Sequence, residues 1–104
     1  MENIIRGTTP TLVVDFKNVL SVSSITDAVL TIRKRSGTDK VMLSDLDVDT
    51  TNDKISYHFS QAETLALAHG DKVRFEMDVL ADGERYRVLT SSADVVNTQY
   101  NEVL

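Results

Sequence analysis

Apolar and polar residues alternate with a period of two through most of this chain, and no other feature restricts its fold as much. Val73, Phe75, Met77 and Val79 alternate with Arg74, Glu76 and Asp78. Ile55, Tyr57 and Phe59 alternate with Ser56 and His58, and Ala28, Leu30 and Ile32 with Val29, Thr31 and Arg33. Successive side chains of a strand point to opposite faces, so this pattern gives each segment one face for a core and one for water. Antiparallel sheets meet that condition, because one face can stay solvated. Val29 leaves the outer face of its strand partly apolar.

Turn chemistry separates the runs. Ser36-Gly37-Thr38-Asp39 stands between a strand ending near Lys34 and a shorter one at Lys40–Ser44. Ala81-Asp82-Gly83 stands between strands over Asp71–Leu80 and Glu84–Thr90, and Asp-Gly is a strong hairpin signal because both residues tolerate positive φ. Thr50–Asp53 parts the Leu46/Val48 segment from Lys54–Phe59. Pro10 has no amide hydrogen and is expected to open a first strand, Thr11–Phe16, at a sheet edge. A last strand is expected over Ala93–Thr98. One segment breaks the alternation: Ser60-Gln61-Ala62-Glu63 has the form of a capping box, and Gly70 suits a left-handed helix end. The spacing predicts one short crossover helix, Gln61–His69. About seven strands around one helix predict an all-β, immunoglobulin-like antiparallel β-sandwich. The 104 residues fit one domain, 1–104, with residues 1–6 and 99–104 as possible extensions.

Composition removes several function classes. The chain has no cysteine, so neither a disulfide framework nor a thiolate metal site can form. A net charge of −5, with acids and bases interspersed, argues against a broad nucleic-acid footprint. Arg33-Lys34-Arg35 is the one basic cluster, and it leads into a turn, so it reads as a solvated hairpin end. The apolar runs are too short for a membrane-spanning helix. Met1–Arg6 lacks the basic start and apolar stretch of a signal peptide, which predicts synthesis and folding in a cytoplasm.

Candidate chemistry is sparse. Nucleophilic catalysis needs a nucleophile beside an oriented base. Only His58 and His69 offer an imidazole; His58 falls on an outward strand face, and His69 is expected at the helix end, where it complements the dipole. Asp45, Asp47 and Asp49, followed by Asn52 and Asp53, form the sharpest metal candidate. An EF-hand beginning at Asp45 would need glycine where Thr50 stands and glutamate where Ser56 stands. A strand would also set the three aspartates in a row, as charges that protect an edge. The glycines at 7, 37, 70 and 83 are scattered, so no phosphate loop is formed. Tyr57, Tyr86 and Tyr100, with Phe16, Phe59 and Phe75, read as core and rim aromatics. The expectation is a protein that is not an enzyme, with no catalytic, cofactor-binding or metal residues.

The opening Arg6-Gly7-Thr8-Thr9-Pro10-Thr11 resembles the start of small virion proteins of tailed bacteriophages and prophages. Ser60-Gln61-Ala62-Glu63-Thr64-Leu65-Ala66-Leu67-Ala68-His69-Gly70-Asp71 resembles their S-x-x-E-T-x-x-L-x-x-G segment, and an Asp-Gly hairpin and a strand with Ala93-Asp94-Val95-Val96 follow in the same order. The resemblance implies a structural or accessory protein of the tail, baseplate or fibre region. Its partners would be other virion proteins and further copies of itself, without nucleic acid, membrane or small-molecule substrate, and its location the virion. Ile4, Ile5, Tyr100, Val103 and Leu104, near the ends, are candidates for packing against a neighbour or against their own domain. The alternative is a carbohydrate- or host-surface-binding module, for which Tyr86, Arg85, Arg87 and the Asp82-Gly83 loop could supply contacts.

Overall fold

The computed structural model describes residues 3–97, so Tyr100, Val103, Leu104 and the expected strand end at Thr98 lie outside the described residues. Two sheets pack around one core. The larger holds five strands: β1 (Asn3–Ile5), β3 (Ile25–Lys34), β4 (Gly37–Met42), β7 (Lys72–Ala81) and β8 (Glu84–Val96), in the order β1-β8-β7-β3-β4. The smaller holds β2 (Thr11–Asp15), β5 (Asp47–Asp49) and β6 (Lys54–His58), in the order β2-β6-β5. The core is drawn from the alternating positions of both sheets: Leu12, Val14 and Ile55 from the smaller, and Leu30, Ile32, Val73, Phe75, Met77, Val79 and Val95 from the larger. Phe75 meets Phe59 edge-on, and Phe59 meets Tyr57 in the same way, at centroid distances of 6.0 and 4.9 Å. Phe16 is also buried, whereas Tyr86 is exposed.

The all-β sandwich holds, with several corrections. The described residues form eight strands rather than seven, and one pair is parallel: β1 runs alongside β8, with Ile4 opposite Val95. Residues 3–5 therefore belong to the larger sheet, and of the two placements expected for Ile4 it takes the one against its own domain. Ile4 is completely buried, and burying an isoleucine there is worth about 2 kcal/mol, which holds the strand to its own sheet. The two strands expected over Glu84–Thr90 and Ala93–Thr98 are one continuous β8, because Ser91 and Ser92 stay in the ladder opposite Phe75 and Arg74. β4 begins earlier than Lys40 and stops at Met42, and Leu43–Asp45 form a 3-10 turn. β3 begins at Ile25 rather than near Ala28.

Asp82 and Gly83 turn β7 into β8 with φ of 52° and 78°, the positive-φ pair that the right-handed twist of a two-residue hairpin requires. The expected helix is shorter than its propensities suggest. α1 spans Gln61–Leu65, and Ser60 caps it in a complete capping box with Glu63. It ends at Ala66 because Leu67 turns into the core and the next residues are tied to β8. The Gly70 amide donates to the Val95 carbonyl, and the Val95 amide to the Asp71 carbonyl.

Candidate assembly surfaces

The two segments that carry the sequence resemblance meet at one point. The Thr64 hydroxyl is wholly buried; it accepts the Gly7 amide at 3.0 Å and lies 2.8 Å from the Thr8 carbonyl, to which it donates. Arg6 donates to the Leu65 carbonyl and to Asn97 Oδ1. Gly7 takes a φ of 82°, which a side chain would resist, so the chain can bend over α1 and enter β2. These motif residues act together as a structural lock between the first strands and the crossover. Tyr57 adds to it: its hydroxyl donates to Glu63, and burial together with that carboxylate raises the phenol pKa.

The outer face of the larger sheet carries the chain's main charged cluster. Asp78 is only 9% exposed, although it points away from the core. Arg87 Nε donates to its Oδ1 at 2.8 Å, and Arg85 donates to its Oδ2 through both Nε and Nη2. These bonds, those from Arg87 first, pull the Asp78 pKa down to about 2. The network extends through Glu76, which lies 3.7 Å from Arg87 and 3.6 Å from Arg33. A β-bulge makes the cluster possible. Met77 pairs with Leu89 but Asp78 pairs with Arg87, so Val88 is the extra residue. Without it, strict alternation would set Arg85, Arg87 and the core-facing Leu89 on one face. Beside the cluster lies an open apolar depression of about 270 Å³. Val29, Met42 and Leu80 line it, with Met42 45% and Leu80 39% exposed.

The histidines and the acidic run have separate tasks. His58 bridges β2 and β5: Nδ1 is 2.6 Å from Thr11 Oγ1, and Nε2 is 3.1 Å from Asp47 Oδ2. His69 does not sit at the helix end as expected; its Nδ1 accepts the Asn97 amide. Asp45 lies in the 3-10 turn rather than on a strand, so only Asp47 and Asp49 share an edge row. Asp49 is held by Asn52 and the Thr51 amide, and the Asn52 bonds lower its pKa. Asp53 Oδ1 accepts the Val22 amide. Asp47, Asp49 and Asp53 thus face separate partners, and among the described residues no group of three or more His, Cys, Asp or Glu could hold a metal ion. Each residue of the basic run has an acidic neighbour, Arg33 at Glu76, Lys34 at Asp39 and Arg35 at Asp71, although Arg33 and Arg35 stay largely exposed.

Nor does the β7–β8 hairpin gather the residues expected of a sugar site on one side. Arg85 and Arg87 face outward to Asp78, whereas Tyr86 pairs with Val79 on the other face and donates to Glu84 at 2.8 Å. Tyr86 instead lines a groove with Val19, Leu20 and Ala81 at the end of the sandwich. Among the described residues no helix is long and apolar enough to cross a membrane. No family model matches the chain, and no curated protein matches it in sequence.

Proposed function

We propose that the chain is a non-enzymatic structural or accessory protein of a tailed phage particle, an immunoglobulin-like sandwich acting through contacts with other virion proteins and with itself. The outer face of the larger sheet carries this reading. Val29, Met42 and Leu80 form an apolar strip beside a fixed ion cluster, which suits a partner's surface and offers no reactive group. The strand order supports the fold assignment. β8-β7-β3-β4 and β2-β6-β5 follow the G-F-C-C′ and B-E-D orders of variable-type domains, with α1 in the E–F crossover. The contact between the Arg6–Thr8 segment and Thr64 adds support, since it makes the two resembling motifs one structural device.

The protein would be made in the host cytoplasm and carried in the virion. Mass spectrometry of purified particles tests this: peptides of the chain are expected at stoichiometric levels, and their absence rejects the reading. In particles grown with Leu80→Asp, which leaves the core untouched, incorporation is expected to fall several-fold. A second reading, glycan binding, has the exposed Tyr86 beside its groove in its favour. A glycan array without signal at high protein concentration removes it.

A further inference from the structure

The smaller sheet ends in a strand whose outer side is open. Among the described residues β2 pairs with β6 alone. The Phe16 amide donates to the Asp53 carbonyl, and the Phe59 amide to the Pro10 carbonyl, so both flanking pairs of the β2–β6 ladder are hydrogen-bonded ones. Hydrogen-bonded and non-hydrogen-bonded pairs alternate in an antiparallel ladder. Leu12 and Val14 therefore turn their amides and carbonyls to β6, whereas Thr11, Val13 and Asp15 turn theirs outward. Pro10, which has no amide hydrogen, belongs to the inward-turned set and leaves the open side intact.

We propose that two copies of the chain join antiparallel through these β2 edges, about a two-fold axis at Val13, into one continuous six-stranded sheet. The proposal rests on the reading of the chain as an assembly protein that contacts itself, and it names the surface. A two-fold axis normal to the sheet keeps inner faces with inner faces, so each residue must meet one of its own parity. Centring on Val13 satisfies this over the whole strand. Val13 meets Val13, Leu12 meets Val14, and Thr11 meets Asp15, with no like charges opposed. About six backbone hydrogen bonds would form, two at each outward-turned pair. Val13 is 51% exposed, and its two copies would cover each other.

The other edges suit such pairing less. β4 is the other long edge strand, and an axis at its middle opposes Lys40 to Lys40 or Asp39 to Asp39; such charges are a common protection of edges. β1 and β5 have three residues each, and pairing β5 about Val48 would set Asp47 against Asp49. β2 carries no lysine, and its one charge stands at its end.

Light scattering after size exclusion, run on the purified chain up to several hundred micromolar, tests the pairing. A dimer is expected. Val13→Lys opposes two ammonium groups across the axis and is expected to weaken association at least tenfold, with an unchanged circular dichroism spectrum. Val13→Cys gives this cysteine-free chain a single thiol, with its symmetry mate at about 5.5 Å between Cα atoms, within disulfide reach. It should oxidise to a covalent dimer much faster than Lys40→Cys on the opposite edge. A monomer at every concentration, or equal cross-linking of the two cysteine variants, overturns the pairing, whether the edge then serves a different protein or another segment of the chain. Because these measurements use the isolated chain, they can fail while the protein is found in virions, and the reverse.

Discussion

The outer faces of the two sheets differ in how they handle charge and apolar surface. On the larger sheet, Asp78 is nearly buried under two arginines, and the exposed Met42 and Leu80 lie beside it with the half-buried Val29. On the smaller sheet, the outer residues form exposed polar rows, Thr11–His58 and Asp15–Lys54–Asp49, around the single apolar Val13. On the proposed reading, the larger sheet offers a face whose fixed ions would register a partner. The smaller offers little face and an open edge of backbone donors and acceptors. Face packing selects by shape and charge, whereas edge pairing selects by strand register. If both proposals hold, one small domain carries two kinds of contact without overlap.

The largest effect should come from breaking the ion cluster. Hydrogen bonds to a charged group contribute about 1.5–3 kcal/mol, and Asp78 is the acceptor for both arginines. Asp78→Ala is expected to cost about 2 kcal/mol in urea unfolding, moderated because Arg85 and Arg87 are largely exposed and can rehydrate. A stability unchanged within error would mean that the cluster is incidental to the fold.

A somewhat smaller effect should follow from pH. The Asp78 pKa is depressed on folding, from 3.8 to about 2. Its contribution is therefore complete above the unfolded value and is lost as pH falls through about 4 toward 2. After allowance for solvent around the arginines, this amounts to about 1–2 kcal/mol. Unfolding measured between pH 5 and 2 should show this loss in the wild type and a flatter profile in Asp78→Ala. Parallel profiles would remove the cluster as the cause.

The legibility of these features in the sequence follows the physics of each. Alternation at Val73–Val79 and at Ile55–Phe59 marks the core strands, because period two is a local property. The Ser60–Glu63 capping box marks where α1 begins, but its end is set by the distant β8 strand, which holds Gly70 and Asp71. Parallel pairing of residues 3–5 with β8 is likewise long-range; Ile4 and Ile5 showed only apolar character. The Asp78 cluster has a local signal in the sequence. Arg85, Arg87 and Leu89 share parity, and two arginines cannot share a core-facing row with a leucine, so a bulge is required between them. Val88 supplies it.

The smallest effect should come from the smaller sheet's outer face. His58 touches Thr11 and Asp47 and so links all three strands, which gives it the look of a keystone. Its side chain and that of Asp47 are both mostly exposed, however, at 62% and 69%. Water and salt screen such a pair, and holding both side chains in one geometry costs entropy, so exposed pairs contribute about 0–1 kcal/mol. His58→Ala is expected to change stability by less than about 0.5 kcal/mol, and the difference should vanish in high salt. A cost as large as that of Asp78→Ala would mean that the polar rows hold the smaller sheet together, and the contrast between the two faces would then be one of partner chemistry alone. A small cost leaves the smaller sheet dependent on Leu12, Val14 and Ile55 beneath it rather than on the polar rows above.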